Sequence, residues 1–373
     1  MSLIIFVFIL SILILVHEWG HYITARKCGV KVEQFSLGFG PKLFGWVHDG
    51  TEFCLCAIPL GGFVKMAGDE REKCLGGSDE YFAKPAGQRA LIILMGPVVN
   101  LILAYACFWL VFMIGYVDMD LSSQNVAPVV GQVLPHSPAE QAGLKSGDRI
   151  LSINGQSIAH WSQLQDLVSN STGGQLILTL ERSKQEISLG LIPQETDQQD
   201  IFGRMHRTRI MGVKQMPINN AKDIVIKRYG FFDSFVKAGE ELGDITVKTY
   251  GALFEMAIGA RSPKEAMGIV GMFFVIKFAL TIGFSFVLHM VGIISASLAI
   301  FNLLPVIPLD GGHLFLIALE KCRGRALSIK TDQLIAKTGF ALIIVLALFV
   351  FYSDFERVGW IDKMVKLFKG TGL

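Results

Sequence analysis

The sequence predicts a polytopic α-helical membrane protein with four spanning helices, a strand-rich region beside the membrane and one compact α+β domain. Hydrophobic residues make up 51% of the 373 residues, and the mean hydropathy is +0.48. They are concentrated in four blocks, and a mixed sequence rich in turn residues separates the second block from the third. Each block can supply a helix of about 17–25 apolar residues, which is the length that spans a bilayer.

The four blocks lie at roughly 3–25, 90–116, within 268–304, and 336–352. Because no Lys or Arg precedes Arg26 and no small-residue cleavage pattern follows the block, we interpret the first block as a retained span and not as a secretory signal. The third region is longer than one span needs. We therefore expect an interfacial or re-entrant element first and the third span after it.

The loops between spans predict the orientation of the chain. The loop between the first two spans and the short loop between the last two are both rich in lysine and arginine, so the positive-inside rule assigns both loops to the cytoplasm. Both termini and residues 118–267 are then expected outside. All six cysteines fall in membrane or predicted cytoplasmic segments, which agrees with a reducing environment on that side.

Three segments between the spans have distinct sequence patterns. Residues 35–68 alternate like strands and are broken by glycines, which predicts hairpins near the membrane surface. Residues 126–193 combine strand-like runs, turn residues and a short helix, as in a compact α+β domain. Residues 231–254 are amphipathic, and such a helix lies either in the membrane interface or against the preceding domain. We divide the chain into 1–117 (two spans and the β region), 118–195 (the compact domain), 196–267 (linker and amphipathic helix) and 268–373 (two spans and the C-terminal tail).

The first apolar block ends in HEWGH, residues 17–21, which fits the pattern HExxH. On an α-helix, His17 and His21 share a face, so both imidazoles can bind one metal ion. Glu18 can accept a proton from a water molecule at that ion, as in zinc hydrolases. Because ionisable residues inside a membrane are costly, their presence in a span indicates a functional site.

A catalytic zinc site needs a third protein ligand, and Asp310 is the best candidate. It lies in NLLPVIPLDGGH, residues 302–313, and is the only carboxylate between Glu265 and Glu320. Prolines and paired glycines interrupt the helix there, and irregular backbone at membrane depth is tolerated where it lines a cavity or is buried in protein. The alternative is a helix-capping aspartate at the membrane boundary.

Two asparagines in the apolar blocks are candidates for contact with a substrate. Asn302 can hydrogen-bond a substrate carbonyl or the developing oxyanion, although a hydrogen bond between helices would use the same side chain. Asn100, in the stretch GPVVN of the second span, forms either a wall of the active site or a packing contact with a neighbouring helix. The residues alone leave both alternatives open.

HEWGH in the first span, GPVVN in the second, NLLPVIPLDG in the third and the compact insert between them resemble the site-2 protease family. More narrowly, the chain resembles bacterial zinc metalloproteases of regulated intramembrane proteolysis, of the regulator-of-sigma-E protease type, with room for a single PDZ domain. The resemblance implies a zinc-dependent intramembrane endopeptidase of the bacterial inner membrane. Its implied substrates are transmembrane segments of single-span proteins, such as an anti-sigma factor.

The resemblance also implies residue roles. His17, His21 and Asp310 would bind one Zn²⁺ per chain, and Glu18 would act as the catalytic base. The 35–68 segment resembles the membrane-associated β-hairpin region of the family, which presents an edge strand to an unwound substrate.

Further implied contacts concern the substrate and the compact domain. Gly61 and Gly62 lie in the strand-rich segment and are therefore candidate substrate-binding residues. The compact domain resembles an extracytoplasmic PDZ domain, with a groove for a peptide or a C-terminus. The other implied partner is the lipid bilayer.

Two other functions compete with a protease. A catalytically inactive membrane scaffold carrying a PDZ-like domain would be expected to have lost part of HExxH or the aspartate, and both are intact. A zinc transporter would need several ligands along a transit path, and one cluster is visible. Nucleic acid is not an expected partner, because the net charge is only +2 and no basic stripe or nucleic-acid-binding motif is found.

Overall fold

A computed structural model describes the chain except for residues 73, 118–126, 200–204, 216–225, 326–327 and 358–373. The α-helices are α1 (Ser2–Lys27), α2 (Ala86–Ile114), α3 (Pro138–Gln141), α4 (Trp161–Ser169), α5 (Phe231–Ala257), α6 (Ile269–Ile282), α7 (Phe284–Asn302), α8 (Asp310–Arg323) and α9 (Ile329–Arg357). The strands are β1 (Val32–His48), β2 (Thr51–Met66), β3 (Tyr116–Val117), β4 (Val130–Val133), β5 (Arg149–Ile153), β6 (Gln156–Ser157), β7 (Leu176–Arg182), β8 (Gln185–Leu191), β9 (Gln194–Gln199), β10 (Met205–Ile210), β11 (Val213–Gln215) and β12 (Ile226–Lys227). Parts of the predicted linker and the C-terminal tail lie outside the described residues.

Within the described chain, four helices are long and apolar enough to cross a membrane: Ser2–Lys27, Ala86–Ile114, Phe284–Asn302 and Lys330–Glu356. The predicted set of four apolar spans and a β region is therefore confirmed. The chain divides into two compact units. Unit 1 comprises Met1–Ile114 with Tyr229–Leu373, and unit 2 comprises Gly115–Arg228.

The long apolar stretch at 268–304, which contains the third span, forms two helices. Gly283 separates α6 from α7 with a φ of 136°, which a residue with a side chain rarely adopts. α6 packs against α1 through a cluster that includes Phe6, Leu10 and Ile276. The stretch therefore supplies a short helix of 14 residues followed by the 19-residue candidate span.

The strands β1 and β2 of unit 1 form more than a simple hairpin. Asp49 and Gly50, both with positive φ, connect them in the manner of a two-residue type I′ turn. Leu37 in the first half of β1 pairs with both Leu55 and Gly62, so this half lies between the two halves of β2. Residues 62–66 consequently form an edge of the sheet, as far as the described pairings extend.

Helix α5 packs against α2 within unit 1. The hydroxyl of Tyr105 donates to the main-chain oxygen of Phe235 at 2.7 Å, and Nε1 of Trp109 donates to that of Phe231 at 3.2 Å. Most of the helix nevertheless stays exposed, including large apolar side chains such as Phe254. It ends three residues beyond the predicted 231–254 segment.

Unit 2 contains an antiparallel sheet in the order β6-β5-β7-β8 and the helix α4, which share one hydrophobic core. Leu164 of α4 and Leu178 and Leu180 of β7 are fully buried in it. β9, β10 and β11 form in a segment where the sequence showed no clear period.

An ion pair between a buried carboxylate and a partly exposed arginine lies beside the core of unit 2. Arg182 donates to both carboxylate oxygens of Asp148, each at 2.7 Å. Burial raises the pKa of Asp148, but these bonds and one from the Lys145 amide outweigh burial and leave that pKa below its usual value. The pair therefore keeps the carboxylate charged at neutral pH.

Candidate metal centre and active site

Three side-chain atoms from two helices meet at one point in unit 1. Nε2 of His17 lies 3.3 Å from Nε2 of His21 and 3.1 Å from Oδ2 of Asp310. Nε2 of His21 lies 3.6 Å from the same oxygen. Within the described residues, this is the one group of three or more His, Cys, Asp or Glu side chains close enough to share a metal ion.

The chemistry and spacing of these atoms fit zinc. Two imidazoles and one carboxylate are common zinc ligands, and tetrahedral bonds of 2.0–2.1 Å separate the ligand atoms by about 3.3–3.4 Å. The three observed separations bracket that value. Oδ2 of Asp310 is buried and faces the two imidazole nitrogens. The donor set therefore suits a cation and leaves a position open for a further ligand.

The helices explain why these residues converge. His17 and His21 are one turn apart on α1, so their side chains share a face. Asp310 is the first residue of α8, directly after the proline-containing turn that follows α7. That turn ends one helix and starts the next at the depth of the histidines, which brings a carboxylate from the C-terminal third of the chain to α1.

The Nδ1 atoms of His17 and His21 differ in their hydrogen-bond partners. Nδ1 of His21 lies 2.9 Å from the main-chain oxygen of Ile92 in α2. As the donor in that contact, Nδ1 leaves Nε2 free to bind a metal, which is the usual way a protein orients a ligating histidine. Nδ1 of His17 has no hydrogen-bond partner among the described atoms. The orientation of His21 thus depends on the backbone of α2.

Gly96 lets α2 approach the two histidines. A Cβ atom at this position would overlap Nε2 and Cε1 of His21 and lie 2.9 Å from Cε1 of His17. Any side chain here would displace Nε2 of His21, the nitrogen that faces the candidate metal position. Gly96 lies in the stretch GPVVN, but its role depends on a tertiary contact that spacing along the chain does not reveal.

Replacing Gly96 with alanine is expected to weaken zinc binding about 10–100-fold, the range found when groups that orient metal ligands are changed. The added methyl group collides with His21 Nε2. Gly87→Ala is the matched control, because a Cβ at Gly87 of α2 meets nothing within 4 Å. Competition with a zinc-sensitive dye measures both affinities, and equal affinities would contradict this role.

The site opens into a cavity of about 490 Å³. Glu18, partly buried on α1, lines it beside the three candidate ligands. A Cβ at Gly62 of β2 would lie 3.1 Å from Cγ of Glu18, so the edge segment 62–66 runs directly past this carboxylate. The cavity therefore brings together the candidate base, the candidate ligands and a strand edge.

The remaining predicted site residues also line this cavity. Nδ2 of Asn302 lies 3.5 Å from Nε2 of His17. Asn100 is fully buried, and Gly61, with φ of 130°, lies beside Gly62 in the lining. The structure thus brings all eight predicted residues to one cavity.

Two further histidines, His313 and His289, lie in or near the membrane-spanning helices of unit 1. His313 lines the cavity three residues after Asp310, and its place in LDGGH was the one available signal. His289 is separate from the cavity lining: its Nε2 lies 3.1 Å from Oε1 of Glu241 on α5.

Known proteins are similar to this chain over most of its length. A model of Peptidase family M50 matches residues 5–346. A protein of Brucella suis named as a zinc metalloprotease is 32% identical over 363 residues, covering 94% of this chain and 93% of the relative. One of Rhizobium meliloti with the same description is 32% identical over 372 residues, covering 95% and 96%.

A longer relative matches over nearly its full length. Regulator of sigma-E protease RseP of Escherichia coli is 28% identical over 447 residues, covering 95% of this chain and 98% of the relative. A solution structure from Geobacillus thermodenitrificans covers 19% of this chain and 83% of its own at 31% identity, with a TM-score of 0.17 that supports no argument about fold. The match to the family model covers most of the chain, which therefore belongs to peptidase family M50.

Proposed function

We propose that this protein is a zinc-dependent intramembrane endopeptidase of the site-2 type. It cuts transmembrane segments of single-span proteins, such as an anti-sigma factor, in regulated intramembrane proteolysis. The observation that carries the proposal is the convergence of His17, His21 and Asp310 within 3.1–3.6 Å, next to a carboxylate, between helices apolar enough to span a membrane. Membership in peptidase family M50 and the names of the relatives support it.

The three ligands hold one zinc ion per chain, which matches the one candidate metal group in the described residues. When bound, zinc lowers the pKa of a water ligand to about 7 and polarises a carbonyl group. Glu18 accepts a proton from water as the water oxygen forms a bond to the carbonyl carbon. It then delivers that proton to the amide nitrogen, and the C–N bond breaks to leave a carboxylic acid and an amine. Asn302, beside His17, donates to the oxygen of the substrate carbonyl.

The substrate reaches Glu18 as an extended strand. Residues 62–66 form a sheet edge that lines the cavity, and the missing side chain of Gly62 lets this edge approach Glu18 closely. Strand addition at this edge uses main-chain hydrogen bonds, which every extended sequence can make. The substrate helix must unwind first, because its carbonyl and amide groups are otherwise paired with each other.

The remaining proposals concern the domains of the chain and the side of the membrane on which each lies. We propose the division 1–117, 118–195, 196–267 and 268–373, with residues 118–195 as a PDZ-like domain. That domain and both termini lie outside the cytoplasm of a bacterial inner membrane, and its groove receives a peptide or a C-terminus. The exposed apolar residues of α5 support a location in the membrane interface.

Two alternative functions receive less support. A scaffold without activity would not require an open cavity that joins the candidate base, three ligands and a strand edge. A zinc transporter would require further ligand groups, and the described residues hold a single one. Both alternatives predict that the purified protein leaves a single-span substrate intact.

Cleavage by purified protein tests the proposal. The chain is reconstituted in liposomes with a single-span protein that is tagged at both ends, and the masses of the products are determined by mass spectrometry. We expect one cut inside the apolar segment, loss of cutting with a zinc chelator and recovery with added Zn²⁺. A cut in the exposed tails, or cutting that persists after the metal is removed, would refute the proposal.

A further inference from the structure

Asn100 is an unusual residue in the wall of the cavity. Its side chain is fully buried in α2, and neither Oδ1 nor Nδ2 has a hydrogen-bond partner among the described atoms. A buried polar group without a partner destabilises the folded protein. An apolar residue of the same size would avoid this cost, so packing alone does not account for an amide at this position.

The backbone at Asn100 is held in place. The hydroxyl of Ser295 in α7 donates to the main-chain oxygen of Asn100 at 2.8 Å. Asn100 also lines the cavity that contains Glu18 and Asp310. The contact with α7 therefore fixes the backbone at Asn100, while the two polar atoms of its side chain have no partner among the described atoms.

The position of Asn100 relative to the candidate ligands follows from helix geometry. Gly96 and Asn100 are one turn apart on the same face of α2, about 6 Å along its axis. A Cβ atom at Gly96 would overlap the ring of His21 and crowd that of His17. Asn302 approaches His17 from α7. Two amide side chains, from α2 and α7, thus line the same cavity around the histidines.

An amide with both its donor and its acceptor unpaired matches a peptide group. We propose that Asn100 binds one peptide unit of the extended substrate beside the bond that is cut. Nδ2 donates to the carbonyl oxygen of that unit, and Oδ1 accepts from its N–H. An intact helix uses both groups internally, so the contact selects substrate backbone that has already unwound. The inference rests on the proposed function and names a recognition contact for it.

The test replaces Asn100 with leucine, which keeps the size and removes both polar atoms. Cys107→Ala is the matched control, since Cys107 is buried in the same helix but does not line the cavity. Cleavage of the tagged single-span substrate gives kcat/KM. Capture of the same substrate is measured as the amount that co-purifies with the chain in a Glu18→Gln background. Zinc content and Tm report the fold.

We expect Asn100→Leu to lower kcat/KM about 10–100-fold, as for the loss of two buried hydrogen bonds. Capture should fall several-fold, with zinc content and Tm at the values of the Cys107→Ala control. Wild-type cleavage and capture would overturn the inference. If the leucine variant does not fold, Asn100→Ala is measured in its place. Failure of both variants to fold or to hold zinc would show that the amide serves packing, which also overturns the inference.

The two proposals fail in different ways. If Glu18→Gln cleaves as fast as the wild type, the proposed function is wrong. If Glu18→Gln is inactive and Asn100→Leu cleaves and captures substrate normally, the recognition role of Asn100 alone is wrong.

Discussion

Replacing Glu18 with glutamine is expected to lower kcat about 10²–10⁴-fold, the range that general acid–base catalysis contributes. Glutamine keeps the shape of the side chain and its place beside Gly62, but it cannot accept a proton. Glu18 is not among the three atoms that converge on the candidate metal position. The zinc content of the variant should therefore equal that of the wild type.

The measurement is the initial rate of cleavage of a tagged single-span substrate in liposomes, with zinc content determined on the same sample. Glu186→Gln removes a carboxylate from an exposed position in β8 and is the control. Its rate should match the wild type. Undiminished cleavage by Glu18→Gln would show that another group handles the proton, and loss of zinc would show that Glu18 is a ligand.

Removing Asp310 should abolish both zinc binding and cleavage. Asp310→Ala leaves only the two imidazoles of α1, so we expect zinc affinity to fall more than about 100-fold, beyond the effect of losing an orienting group. The variant also separates two roles for this residue. An aspartate that merely caps α8 would destabilise that helix by about 0.5–2 kcal/mol on replacement and leave the metal bound.

Asp244→Ala controls for the loss of a carboxylate, because Asp244 is exposed on α5 and pairs only with Lys248 in the contacts observed. It should retain zinc and activity. Cleavage by Asp310→Ala at the rate of this control would contradict the ligand assignment, whatever its effect on stability.

The sequence predicts the candidate site better than it predicts the surrounding structure. His17 and His21 follow from helical spacing, and Asp310 follows from the scarcity of carboxylates in apolar sequence combined with broken helix. These signals are local. The contacts that orient the site, in contrast, depend on how α1 and α2 pack together. His21 contacts the main-chain oxygen of Ile92, which any residue would supply, and Gly96 matters only because the two helices are close.

The strands illustrate the same limit. Alternation predicts extended structure over 35–68, but it does not reveal that Leu37 pairs with both Leu55 and Gly62. That pairing depends on how the sheet packs and makes residues 62–66 an edge beside Glu18. Gly283 likewise separates the short helix α6 from the third span α7. Hydropathy alone gives a continuous apolar stretch there and does not locate this boundary.

The central claim is that His17, His21 and Asp310 hold the catalytic metal while Glu18 performs the proton transfer. Zinc per chain, measured side by side on purified wild type, Glu18→Gln and Asp310→Ala by mass spectrometry of the metal, tests it most directly. The account predicts about one zinc in the first two proteins and almost none in the third. Stoichiometric zinc in Asp310→Ala, or no zinc in the wild type, would contradict it.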